Sequence, residues 1–289
     1  MRDADFELEA ELEELMSVLL ESDLESEAES EAPACDNKGL PTPSRAISRL
    51  SSGRIQCPAA GRWGILDVVI NNAVQMLDNT IAELTRARQA ACEGRPLGWP
   101  NLSDVTACWL KYKLGVCIDD PSTWTAGTFQ SSTVAEVIRR LVKPRELLAS
   151  GEILYVCEET CNPETLFAFT FPMLSGRCNA GTPDRTIHLC PRFWSAEHAP
   201  FKEQTIIHEA VHLTHCGEHR PDTIGIGVSI GSPECLAQFV AANNGKKLDP
   251  TTVGQCGFTN RCGTVPRDAI RRNCGGIVGR PGGLPDWRP

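Results

Sequence analysis

The sequence predicts an α+β fold, mainly helical, with one small antiparallel sheet, and three observations carry that expectation. From about Gly61 apolar residues recur at three- and four-residue steps through several long runs, the period of helices with one buried face. Between residues 153 and 190 the period shortens to two in three β-rich runs closed by turn residues and prolines. Helical spacing then returns around His208-Glu209-Ala210-Val211-His212, set among Ile206, Ile207 and Leu213.

The 289 residues suffice for one good-sized domain with extensions. Net charge is −9, but it is unevenly placed. Residues 1–31 hold thirteen carboxylates against Arg2 and carry −12, which leaves the remainder at +3. A near-neutral body gives no basis for nucleic acid as a partner. Residues 1–58 are expected to form an acidic, disordered leader and a linker rich in Ser, Pro, Gly and Glu. A competing reading takes Phe6, Leu8, Leu12, Leu15, Met16, Leu19 and Leu20, which keep helical spacing, as a docking or delivery helix.

The body is expected over 59–245. Trp63, Leu66, Val69, Ile70, Ala73, Val74, Leu77, Ile81 and Leu84 predict a long amphipathic helix that ends at Gly94-Arg95-Pro96. A second helix is expected over 102–114 with Ser103 as its cap. A third spans 132–150 and is expected to break or kink at Pro144. Residues 153–157, 166–171 and 186–190 supply the three strands. A helix over 200–215 carries the two histidines, and another begins at Ser232-Pro233-Glu234. Residues 246–289, rich in Gly, Pro and Cys, show no core pattern and read as a tail that only cross-links could hold.

His208 and His212 lie four apart, so on a helix both imidazoles face one point. Two such nitrogens suit zinc, which needs further ligands besides. Glu209 follows the first of them and can serve as base to a water on that ion, the arrangement of a zinc peptidase. The competing reading is a buried structural helix with two hydrogen-bonded histidines. For the third ligand Asp222, Glu234 and His219 all remain open.

Fourteen cysteines spread along the chain fit disulfides and an oxidising destination. Cys157, Cys161, Cys178 and Cys190 are expected to tie the sheet region. The alternative is a cysteine-ligated zinc site at Cys157-x-x-x-Cys161. Neither a secretory signal peptide nor a membrane-spanning run is recognisable, so the expectation is export by a route that does not read such a signal, or a sequence that has lost its signal.

Thr186-Ile187-His188-Leu189-Cys190-Pro191-Arg192-Phe193-Trp194, followed by Thr205-Ile206-Ile207-His208-Glu209-Ala210-Val211-His212, resembles the strand and zinc helix of the aspzincins, the deuterolysin-like and peptidyl-Lys metalloendopeptidases. Looser likeness extends over about 61–245, through Trp109-Leu110-Lys111-Tyr112 and a helix beginning Ser232-Pro233-Glu234. The resemblance implies a zincin-like domain, one catalytic zinc ion, His208, His212 and Asp222 as ligands, and Glu209 as the catalytic base. It also implies a secreted endopeptidase acting on protein or peptide substrates, expected as a monomer. The family's oxyanion tyrosine is replaced, with Gly225 or Ile226 at its place and His215 or His219 as substitute donors. The alternative function is a catalytically degenerate, zinc-bearing binding module of the same fold.

Overall fold

The computed structural model describes residues 35, 40, 54–57, 61–94, 102–127, 133–170, 185–215, 229–249, 256 and 262. All of them fall in the compact unit Cys35–Pro289, so the expected features of residues 1–34 lie outside the described residues. The same holds for nearly all of the Gly/Pro/Cys-rich stretch 250–289.

The described elements run β1 (Ile55–Gln56), α1 (Arg62–Cys92), α2 (Asp104–Cys108), α3 (Pro121–Thr125), α4 (Val134–Ser150), β2 (Leu154–Cys157), β3 (Ala168–Phe169), β4 (Thr186–Leu189), α5 (Lys202–His215) and α6 (Pro233–Asn243). The helices begin where their caps direct. Ser103, Thr133 and Ser232 each accept a hydrogen bond from the backbone N–H three residues on, which satisfies a donor that helix geometry leaves unpaired. Asp120 does the same two residues on for α3, a short helix that the apolar period does not announce. Beyond α2 the chain continues as a π-helical turn over Trp109–Lys113 and buries Trp109, Leu110 and Tyr112.

α1 supplies the longest apolar face, with Leu66, Ala73, Val74, Leu77 and Leu84 fully buried. It packs on α4 and α5, and α5 in turn packs on α4 and α6. The far end of α6 is pinned by a polar network. Asn243 Nδ2 donates to Thr80 Oγ1 on α1 at 3.1 Å, Thr106 Oγ1 on α2 donates to Asn243 Oδ1, and Asn244 Nδ2 donates to the Met76 carbonyl at 3.0 Å.

The sheet is mixed, which corrects the antiparallel expectation. Its order is β1-β2-β4-β3; β1 and β4 both pair parallel with β2, and only β3 runs antiparallel, against β4. Alternation of apolar residues reveals which face is buried, not strand direction. Direction follows from the connections: α1 to α4 separate β1 from β2, and a crossover that long returns the chain to the same end of the sheet. β1 also shifts the expected boundary at residue 58. Ile55 is buried opposite Tyr155, and Cys57 is bonded to Cys157.

α4 continues through Pro144 to Ser150, where Gly151 adopts φ +67° and ends it. The expected break is absent for a visible reason. Proline removes the N–H that would bond the carbonyl four residues back, which is that of Arg140. His215 Nε2, at the end of α5, donates to that carbonyl at 2.9 Å. A helix defect thus becomes a docking point between α4 and α5.

Disulfides join Cys35–Cys92, Cys57–Cys157, Cys117–Cys262, Cys161–Cys190 and Cys235–Cys256. No cysteine among the described residues is free. Cys157 and Cys161 belong to different bridges, so the cysteine-ligated zinc alternative fails there. Cys178 lies outside the described residues.

Two outcomes are expected. A chain starting at residue 59 loses β1 and the bridges to Cys35 and Cys57, and urea unfolding should find it less stable than one starting at Cys35, by about 2–5 kcal/mol for each lost bridge; equal midpoints would show β1 to be dispensable. His215→Leu leaves the Arg140 carbonyl without its donor, which costs about 1–3 kcal/mol. In a Pro144→Ala background, where an N–H returns, the same change should cost clearly less, and a double-mutant cycle measures the difference.

Candidate metal centre

α5 contains neither Gly nor Pro, and Glu203 lies in its first turn, where a carboxylate suits the positive end of the helix. Asn72 Nδ2 of α1 donates to that carboxylate at 3.0 Å. Ile206, Ile207, Ala210 and Val211 are fully buried and fix the helix in the core. That packing carries the polar residues between them inward: His208 is 9 %, Glu209 5 % and His212 5 % exposed.

The one-turn offset brings the two rings together as expected. His208 Nε2 and His212 Nε2 lie 3.0 Å apart, with ring centroids 4.7 Å apart at 70°. Zinc–nitrogen bonds of about 2.0–2.1 Å at a tetrahedral angle place two nitrogens about 3.3 Å apart, so the pair is near the spacing one ion requires. Behind it, His208 Nδ1 lies 3.0 Å from Glu234 Oε2 on α6. A carboxylate only accepts, so Nδ1 carries a proton, and in the neutral ring Nε2 keeps the lone pair. A histidine held in this way is suited to bind a metal through Nε2, and the donor set present fits zinc.

Glu234, one of the three candidates for the third ligand, thus meets Nδ1 of His208, while Nε2 faces His212. No group of three His, Cys, Asp or Glu residues suited to a metal is present among the described residues. Asp222 and His219 lie outside them.

Charge at the site is balanced within it. Burial works against the charged form of His208, but the hydrogen bond to Glu234 and the carboxylates of Glu209 and Glu234 outweigh it, and its pKa is raised. Burial raises the pKa of Glu209, opposed by the His208 charge.

Neither tyrosine can serve an oxyanion: Tyr155 is fully buried on β2, and Tyr112 is buried beside the π-helical turn. His215, one suggested substitute, is engaged by Arg140, and burial takes its pKa down to about 4. Sequence reading missed Gln238. Gln238 stands four residues after Glu234 on a helix expected from its cap, and that spacing alone makes the two neighbours.

Two histidines one turn apart, with a glutamate between them, thus lie buried in a mainly helical α+β domain. The family model of the aspzincins, described as lysine-specific metallo-endopeptidase, matches residues 122–230. The matched segment includes His208, Glu209, His212 and Asp222 and ends before α6. No curated protein and no solved structure matches the chain.

The purified protein should hold about one zinc ion, and His208→Ala or His212→Ala should each abolish it. Metal analysis of the folded proteins checks this; unchanged zinc in both variants would refute the assignment.

Proposed function

We propose that the protein is a zinc-dependent endopeptidase, with a zincin-like domain built around α5. The observation that carries this reading is the convergence of His208 Nε2 and His212 Nε2 with Glu209 buried beside them, inside the segment that the aspzincin model matches. His208 and His212 would hold the ion, with Asp222 as the third ligand on the strength of the family pattern.

When bound, zinc supplies a Lewis acid that polarises the scissile carbonyl and makes water acidic enough to attack near neutral pH. Glu209 accepts the proton of the attacking water and passes it to the leaving amine. Its burial raises the affinity of its carboxylate for that proton, which suits a group that must take it up and then release it. Glu209 follows His208 by one residue, about 100° around the helix, so it reaches past the ligands without being one.

Protein or peptide chains are the substrates, and the enzyme acts as a monomer. No helix among the described residues is long and apolar enough to cross a membrane. Five disulfides support an oxidising, exported destination. Residues 1–58 are read as an acidic leader and linker, and residues 246–289 as a tail held by cross-links.

Glu209→Gln should keep zinc and lower cleavage of denatured casein about 10²–10⁴-fold, because Gln preserves the outline and cannot take the proton. Chelator treatment of the wild type should remove the activity. If wild type and variant both carry zinc and are equally inert across unfolded substrates, the binding-module reading replaces this one.

A further inference from the structure

Glu234 reaches the site from α6, across the helix interface, and has no ligand's role in the geometry described. Its Oε2 lies 3.0 Å from His208 Nδ1, and its Oε1 accepts from Gln238 Nε2 at 2.7 Å. All three side chains are buried. The chain of donation runs in one direction. Gln238 offers an N–H to one carboxylate oxygen, His208 offers an N–H to the other, and His208 Nε2 is left to face His212 Nε2. We infer that Glu234 and Gln238 are a positioning pair that holds His208 in its Nδ1–H tautomer and so keeps Nε2 free of a proton for a metal. The consequence for zinc rests on the function proposed above; the tautomer itself rests on the contacts alone.

The argument turns on symmetry. A carboxylate presents two acceptors, so it can receive Gln238 and His208 together. An amide presents one acceptor and one donor. In Glu234→Gln the amide oxygen is claimed by the Gln238 N–H, and the amide N–H turns toward His208. Nδ1 must then accept, the proton moves to Nε2, and the ligand lone pair is lost. Exchanging the two residues, Glu234→Gln with Gln238→Glu, reverses this. The carboxylate at 238 accepts the amide N–H, the amide oxygen turns to His208, and Nδ1–H is restored. Charge, volume and atom types in the pair are the same as in the wild type, so a role in packing alone does not predict that recovery.

The test uses the full chain in three forms: wild type, Glu234→Gln and the exchanged double variant. The first readout needs no metal. Long-range proton–nitrogen spectra of histidine-labelled, metal-free protein, recorded well above the imidazole titration range, report which ring nitrogen of His208 carries the proton. Wild type and double variant should show Nδ1–H, and Glu234→Gln should show Nε2–H. The second readout is zinc affinity by competition with a chromogenic chelator. It should fall about 10–100-fold in Glu234→Gln, the usual effect of losing a partner behind a ligand, and recover in the double variant. Circular dichroism of the metal-free forms verifies the fold, and the double variant carries the test should the single one not fold. An Nε2–H His208 in wild type or double variant overturns the inference, as does a folded Glu234→Gln with the wild-type tautomer and zinc affinity. The two levels fail separately. A wild type that takes up no zinc sinks the zinc reading, whereas one that takes up zinc with Nε2–H at His208 in its metal-free form sinks only this one.

Discussion

Burial of ionisable side chains along one helix is the constraint that the rest of the structure meets. A polar group taken out of water without a partner costs several kcal/mol, and a charge more. α5 brings in His208, Glu209 and His212 together and half-buries His215 at its end. Two of them are answered by other helices: His208 by Glu234 of α6, and His215 by the Arg140 carbonyl of α4. The helix is held as much by where its polar groups are received as by its apolar face.

The demands on α6 follow from this. For Glu234 to meet His208, the start of α6 has to be placed to within a hydrogen bond's tolerance. Ser232 caps it there, Cys235 is bridged to Cys256 one turn in, and the Asn243–Asn244 network ties its far end to α1 and α2. Lys113 adds a further tie, donating to the Cys256 carbonyl at 2.6 Å. These contacts lie away from the histidines, yet they set the geometry behind them.

The helices and the meeting of His208 with His212 were legible in the sequence because both are local. A 3.6 period, a cap residue and an i, i+4 spacing are all contained within one turn or one helix. What was not legible was relational. The antiparallel expectation failed because β4 inserts between β2 and β3 and so runs parallel to β2, a strand order that no local pattern encodes. Pro144 was expected to break α4, since its compensation by His215 comes from 75 positions away in sequence. Glu234 was a candidate ligand by spacing along the chain, and only the approach of α6 shows which ring nitrogen it meets. β1 could not be seen at all: two residues carry no period.

The disulfide map has a consequence for chain breakage. The loop closed by Cys57–Cys157 overlaps the one closed by Cys117–Cys262, so every peptide bond from Cys57 to Cys262 lies within at least one covalent ring. A single cut anywhere along that span therefore releases no fragment. The two pieces stay joined, with their core and hydrogen bonds still in register, until the bridges are reduced. Nicks in that span would accumulate as tolerated scars rather than as losses of covalent continuity.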